Sequence, residues 1–150
     1  MLFRSESALP YFIYRLLRGA YIFENLAYLE LRYTPYLRTD ESKSESERIE
    51  QMANIVDTVG KASEASGYPI ITKQILCTHT RLSDQVNRAI VKLASEKKEY
   101  VCAIDIAGGD THYRERIDEF VELYKYAHSL ELKTTGHLYE TPDEIGRAHV

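Results

Sequence analysis

The sequence predicts an α/β fold, a partial (β/α)8 TIM barrel in which helices alternate with parallel strands. Segments with one apolar face at helical spacing alternate along the chain with short apolar runs, which is the pattern of βαβ units. Glu30 and Arg32 also share one face of a predicted strand, and opposite charges there suit a barrel interior better than a sheet covered by apolar helices. They can pair with each other or with neighbouring strands, and we interpret them as a structural interior ion pair. An open doubly wound sheet is the alternative fold.

The first predicted helix lies near the start of the chain. Its apolar face comprises Leu9, Phe12, Ile13, Leu16, Leu17 and Ala20. Pro10 is compatible with the first turn, because the N–H that it lacks would be unpaired there in any case. A strand over 27–33 follows and ends before Pro35, since proline disfavours its continuation.

The second predicted helix follows a polar stretch, 38–47, which predicts a solvated loop. The apolar face of this helix comprises Ile49, Met52, Ala53, Val56 and Val59. Gly67 and Pro69 end the helix in the order expected at a C-terminus. A second strand, over 70–78, comes next.

The rest of the chain repeats the alternation. Ser83 is placed to cap a third helix, and a strand over 100–107 follows it. A fourth helix then leads to a short strand over 132–136. The apolar faces comprise Val86, Ala89, Ile90, Leu93 and Ala94 in the third helix and Ile117, Phe120, Val121, Tyr124 and Ala127 in the fourth.

Composition narrows the class of protein. The 150 residues are 44% hydrophobic and 28% charged, which is typical of a soluble globular domain. A net charge of -4 with mixed signs gives no basic stripe, and no apolar run is long enough to span a bilayer, so we expect neither nucleic acid nor membrane partners. The two cysteines lie in apolar stretches and no secretory signal is present. A cytoplasmic location is therefore expected.

The two ends of the chain resemble translated sequencing adapter. Residues 145–150 read I-G-R-A-H-V, which a common short-read adapter encodes in one frame, and residues 1–5, M-L-F-R-S, match the opposite adapter. We therefore expect 1–5 and 145–150 to be artefacts and 6–144 to be an internal fragment of a longer protein. On this interpretation His149 is not a ligand.

Candidate site residues are sought after the strands, because the loops at the C-terminal ends of parallel strands carry the sites of such folds. His137 and Glu140 stand three residues apart just past the last predicted strand. This pairing can place an imidazole on a metal and leave the carboxyl group free to donate or accept a proton. The alternative is that His137 packs at a strand end and Glu140 begins a helix. The four places to search are 32–36, 77–81, 105–110 and 137–140.

The strand ends together resemble those of the adenosine deaminase family of metal-dependent hydrolases. The string Y-L-E-L-R-Y-T-P-Y-L at 28–37 resembles the family's V-E-V-R-Y-S-P, and I-L-C at 75–77 resembles its third-strand end. A-I-D-I-A-G-G-D at 103–110 is similar to A-I-D-L-A-G-D-E, and H-L-Y-E at 137–140 stands in the place of H-A-G-E. The order and spacing of all four agree.

The resemblance implies a zinc-dependent enzyme that hydrolytically deaminates an aminopurine nucleoside, nucleotide or base. His137 would be a zinc ligand, Glu140 the catalytic residue that protonates the purine ring nitrogen, and the Gly108 backbone amide a substrate-binding donor to the base. The remaining ligands of a single zinc ion would lie outside this fragment. We therefore expect the fragment alone to be inactive.

Departures from the family pattern leave alternatives open. Tyr139 and Leu138 stand where the family has glycine and a small residue, so the identity of the purine is open. T-H-T-R at 78–81 replaces C-M-R-H, and we interpret His79 as a polar loop residue, with a pocket-facing role as the alternative. The rival functions are a non-catalytic α/β binding protein that is a degenerate relative, and a metal-dependent barrel hydrolase acting on a non-purine amide.

Overall fold

The structure, a computed structural model, describes residues 8–136. Helices alternate with four strands, and the strands form one parallel sheet in the order β1-β2-β3-β4. This confirms the predicted α/β architecture, and the four strands do not close a barrel. The elements are α1 (Leu9–Ile22), β1 (Tyr28–Tyr33), a 3-10 helix (Pro35–Arg38), α2 (Glu45–Glu64), β2 (Ile71–His79), α3 (Asp84–Glu96), β3 (Val101–Ala107), α4 (Asp110–Glu115), α5 (Ile117–Ser129) and β4 (Lys133–Thr134).

Two stretches that were predicted as loops contain helical residues. The predicted loop over 38–47 is too long, because α2 begins at Glu45 behind a capping box. The Ser44 hydroxyl accepts a hydrogen bond from the Glu47 amide at 3.4 Å, and the Glu47 carboxylate accepts one from the Ser44 amide at 2.9 Å. The short helix α4 was not predicted, because six residues without an apolar face carry no periodic signal.

The main core lies between one face of the sheet and the helices α2, α3 and α5. Leu76 of β2 and Ile104 of β3 are completely buried in it and pack with helical side chains. Full burial of such a side chain contributes about 1.5–3 kcal/mol relative to exposure. A second, smaller cluster joins α1 to α2 and to the segment before β2. Its buried members are Ile13, Leu17, Ala20, Val59 and Ile70.

The apolar faces of α1 and α5 are narrower than predicted. Leu16 is 45% exposed in α1, and Ile117 and Val121 are 46% and 44% exposed in α5. Leu123, which was not predicted, is buried instead. The face of α5 that is covered packs against α3 and β4, and periodicity alone does not specify which edge of an apolar stripe a neighbour covers. The buried residues are Ile13, Leu17 and Ala20 in α1 and Phe120, Leu123 and Ala127 in α5.

One extra residue near the start of β3 shifts the register of the sheet. Gln74 of β2 pairs with Val101, whereas the next residue, Ile75, pairs with Ala103. Cys102 is therefore the extra residue of a β-bulge. The shift explains why Val101 and Ile104, three residues apart, both lie in the core beneath the helices. Within 8–136 no helix combines the length and the apolar character needed to span a membrane.

Candidate active site

The sheet face that points away from the helices carries an ion pair between β1 and β3. Arg32 Nη1 donates to Asp105 Oδ2 at 2.8 Å, and the thiol of Cys77 on the intervening strand contacts the same oxygen at 3.9 Å. The Asp105 side chain is completely buried, while that of Arg32 is 42% exposed. These side chains alternate with Leu76 and Ile104, which face the helices. A buried carboxylate on this face is thus held by a cation from two strands away.

The interpretation of Glu30 and Arg32 as an ion pair with each other is wrong, whereas the alternative of a partner on another strand holds for Arg32. Arg32 pairs with Asp105, and Glu30 instead accepts a hydrogen bond from the Tyr28 hydroxyl at 2.7 Å. Residues two apart on a strand are separated by about 7 Å along it, so a long arginine side chain reaches the buried carboxylate of another strand as readily. The sequence shows charge on one face but does not show which strand supplies the partner.

Replacing Arg32 by methionine tests the contribution of this ion pair. Methionine keeps an unbranched aliphatic stem and removes the cation that is hydrogen-bonded to Asp105. We expect the free energy of unfolding of the full-length protein to fall by about 2 kcal/mol, less than for a fully buried pair because Arg32 is partly exposed. Urea denaturation measures the change.

The matched control for this change is Arg88→Met. Arg88 pairs with Asp84 at 2.7 Å on the surface of α3, with side chains 44% and 46% exposed. Because solvent screens this pair, its loss is expected to cost only about 0.5 kcal/mol. Equal losses in the two variants would contradict a special contribution from the buried Asp105.

The Cys77 thiol is buried beside the Asp105 carboxylate. Burial, and then the negative charge of Asp105, raise the pKa of Cys77 to about 12. Because the thiolate is the reactive form and the side chain is only 3% exposed, we expect Cys77 to resist alkylation in the native protein and to react after unfolding. Peptide mass spectrometry after timed labelling measures this, with the half-buried Cys102 as the internal comparison. Native labelling of Cys77 ahead of Cys102 would contradict the expectation.

The turn after β3 requires glycine at position 108. Gly108 has φ +112°, a conformation that side-chain-bearing residues rarely adopt. A Cβ placed there would overlap the Thr80 hydroxyl and lie 3.2 Å from His79 Cε1. The Thr80 amide donates to the Ala107 carbonyl at 2.9 Å, so the ends of β2 and β3 are joined beside this glycine. The backbone of Gly108 therefore lies at the C-terminal edge of the sheet, with Thr80 and His79 against it.

His79 is the last residue of β2, and its interpretation as a loop residue is wrong. Its amide donates to Asn87 Oδ1 at 2.9 Å, and Asn87 Nδ2 donates back to the His79 carbonyl at 3.2 Å. Its ring nitrogen Nδ1 accepts a hydrogen bond from the Arg81 amide at 3.1 Å. Burial, and then the charges of Arg81 and His112, lower the pKa of His79 below its usual value. The residue is thus a fixed, neutral imidazole.

Arg116 holds the loop that follows β2. Its Nη1 atom donates to the carbonyls of Thr80 and Leu82, each at 2.7 Å, and its guanidinium pairs with Glu119 at 2.7 Å. The loop beside Gly108 is therefore tied to the start of α5. Neither this contact nor the pair of hydrogen bonds between Asn87 and the His79 backbone could be predicted from the sequence. Each joins two segments, and no periodic pattern connects those segments.

The predicted metal ligand and catalytic residue, His137 and Glu140, lie outside the described residues. Within 8–136 no group of three or more histidine, cysteine, aspartate or glutamate side chains is placed to hold a metal ion. A catalytic zinc takes three protein ligands. The described part of the chain therefore does not form a zinc site by itself, and the roles of His137, Glu140 and the Gly108 amide stay predictions.

Sequence comparison identifies the relatives of the chain. A family model described as adenosine deaminase matches residues 2–144. The adenosine deaminase of Clostridium acetobutylicum is 28% identical over 120 residues, which cover 79% of this chain and 33% of that relative. The chain thus spans about a third of the length of the curated relative that it matches.

Solved structures share the fold. Arabidopsis ADAL complexed with IMP matches with a TM-score of 0.74 and 21% identity, covering 98% of this chain and 44% of that chain. The Arabidopsis N6-mAMP deaminase MAPDA matches with a TM-score of 0.73 and 20% identity over 97% of this chain and 44% of that chain. An amidohydrolase of Burkholderia ambifaria with bound zinc matches with a TM-score of 0.70 and 18% identity, covering 91% of this chain and 36% of that chain.

The comparisons and the fold agree. The parallel strands and alternating helices match part of the TIM barrel of these deaminases, as the sequence predicted. The match of the family model extends over nearly all of the sequence. The chain belongs to the adenosine deaminase family.

Proposed function

We propose that this chain is the part 6–144 of a longer zinc-dependent hydrolase that deaminates an aminopurine nucleoside, nucleotide or base. The observation that carries the proposal is the turn at Gly108. Its positive φ and the contact with Thr80 require glycine, and its backbone lies at the sheet edge where such folds bind their substrates. Family membership supplies the class of reaction.

The proposed role of Gly108 is to donate its amide hydrogen to the purine ring. No hydrogen bond from this amide to another described residue is present, so the donor is available. The neighbouring strand end is fixed by the hydrogen bond from Thr80 to Ala107. A donor that is already oriented binds a ring nitrogen without the cost of ordering a side chain.

The proposed chemistry requires residues beyond those described. His137 would ligate zinc and Glu140 would transfer the proton to the ring nitrogen, and the other ligands would come from the rest of the longer protein. Relatives that match this chain are two to three times longer, which supports this division. We therefore propose that the chain alone neither holds zinc firmly nor turns over substrate.

Measuring bound zinc and ammonia release tests the proposed function on the full-length protein. Substrates are adenine, adenosine, AMP and N6-methyl-AMP, the last two because the structural neighbours include an IMP complex and an N6-mAMP deaminase. We expect about one zinc per chain and release of ammonia or methylamine from at least one substrate. The His137→Ala variant should lose zinc, and His128→Ala, an exposed histidine of α5, should keep it.

Three results would contradict parts of the proposal. Zinc-loaded protein that binds these purines but releases no amine from any of them would favour the non-catalytic binding protein. Full zinc content and unchanged turnover in His137→Ala would remove this histidine from the metal site. A purified chain of residues 6–144 that deaminated adenosine as fast as the full-length protein would contradict its proposed inactivity.

A further inference from the structure

We propose that His79 is a specificity-determining residue whose imidazole donates its Nε2 hydrogen to an oxygen of the substituent carried by the purine. This inference rests on the proposed function. The acceptor is a sugar hydroxyl or a phosphate oxygen, next to the edge of the base that Gly108 holds. A free base has no such oxygen, so His79 would favour nucleosides or nucleotides over bases.

The position of His79 is the first argument. It follows Cys77 by two residues on β2, so its side chain leaves the same face of the sheet as the Arg32–Asp105 pair. It is also the last residue of the strand, at the C-terminal edge where the Gly108 turn lies. Its Cε1 atom is 3.2 Å from the position of a Cβ on Gly108. A molecule bound to the Gly108 amide would therefore lie within reach of the imidazole.

The rigidity of this position is the second argument. Asn87 of α3 is 1% exposed and both accepts from the His79 amide and donates to the His79 carbonyl. The same carbonyl also accepts from the Leu82 amide at 3.0 Å. Burying a primary amide to hold one strand end is costly unless its hydrogen bonds are made. His79 is therefore presented by a scaffold that fixes its backbone on both sides.

The state of the imidazole is the third argument. Because Nδ1 accepts the hydrogen bond from the Arg81 amide, the hydrogen of the neutral ring lies on Nε2. The lowered pKa of His79 keeps the ring neutral near pH 7. Among the residues that the structure describes, none is hydrogen-bonded to Nε2. The ring is therefore an oriented neutral donor, which suits an oxygen acceptor and does not require a charged one.

The experiment compares His79→Leu, His79→Gln and a surface control, His128→Leu, in the full-length protein. Leucine fills the space without a donor, whereas glutamine places an amide N–H near the position of Nε2. Calorimetry measures the dissociation constants of hypoxanthine, inosine and IMP, which differ only in the substituent. Binding is measured separately from turnover, so a failure of this inference can be distinguished from a failure of the proposed function.

We expect His79→Leu to raise the dissociation constant of inosine or IMP about tenfold, while the dissociation constant of hypoxanthine changes less than about twofold. His79→Gln should recover most of the lost affinity, and His128→Leu should bind all three ligands as the wild type does. Weaker binding of both inosine and IMP assigns the contact to a sugar hydroxyl, whereas weaker binding of IMP alone assigns it to the phosphate. Equal weakening of all three ligands, or no weakening of any, would overturn the inference.

Discussion

Gly108→Ala is expected to destabilise the full-length protein by about 3 kcal/mol, the sum of backbone strain at positive φ and overlap of the new methyl group with Thr80. The neighbouring strand end cannot move away freely, because the Thr80 amide is bonded to the Ala107 carbonyl and its own carbonyl to Arg116. We also expect kcat/KM to fall at least tenfold in the folded fraction, since the proposed donor to the purine would be displaced. Urea denaturation and amine release measure the two effects.

Other glycines of the chain separate the two causes. Gly109→Ala is the matched control, because Gly109 has no atom within 4 Å of a new Cβ and no positive φ, and its stability should change by less than about 0.5 kcal/mol. Gly67 has φ +77° with nothing nearby, so Gly67→Ala should show the backbone strain alone, about 1–2 kcal/mol.

The overlap itself is tested by a double variant. Adding Thr80→Ala to Gly108→Ala removes the hydroxyl that the methyl group would meet, and it should recover part of the loss. A Gly108→Ala protein as stable as Gly109→Ala would contradict the geometry of this turn.

Glu140→Gln is expected to lower kcat of the full-length protein by about 10²–10⁴-fold, with zinc content and folding unchanged. Glutamine keeps the size and the hydrogen-bonding oxygen of the side chain but cannot deliver a proton to a ring nitrogen. Because the proposed proton transfer occurs in the reaction and not in binding, KM should change less than kcat. Stopped assays of ammonia release with each active substrate measure both constants.

The control for this change is Glu122→Gln, which makes the same substitution at an exposed residue of α5 that pairs with Lys125 at 2.7 Å. Its kcat should equal that of the wild type. If Glu140→Gln kept more than about a tenth of the wild-type kcat, the proposed proton transfer would belong to another residue. Loss of zinc in Glu140→Gln would instead show that the carboxylate contributes to metal binding.

The architecture was predictable because its signals are local. Helical and strand periodicities alternate within each short segment, and right-handed crossovers then leave few topologies for parallel strands. The errors arose where the deciding interaction is a short-range cap or a contact from a neighbour. The Ser44–Glu47 capping box begins α2 inside a stretch that its polar composition assigns to a loop. The exposure of Ile117 and Val121 depends on what covers α5, which the helix itself does not encode.

The candidate site was predictable in location and not in detail. A strand end with a glycine turn could be found at Gly108 from the sequence, because a parallel sheet brings its C-terminal ends to one edge. The partner of Arg32 lies 73 residues away at Asp105, and no pattern along the chain connects them. Asn87 and the Arg81 amide orient His79, and burial lowers the pKa of its ring. The residue type alone does not reveal this environment.

The β-bulge at Cys102 determines where β3 tolerates a change in length. If the bulge stays in place, loss of a single codon at 103 or 104 moves Asp105 to the opposite face of the sheet, where it no longer meets Arg32. Loss of the codon for Cys102 itself would leave Val101 opposite Gln74 and Ala103 opposite Ile75 in a regular ladder. A deletion that removes the bulge should therefore be tolerated in β3 better than a deletion that leaves the bulge in place.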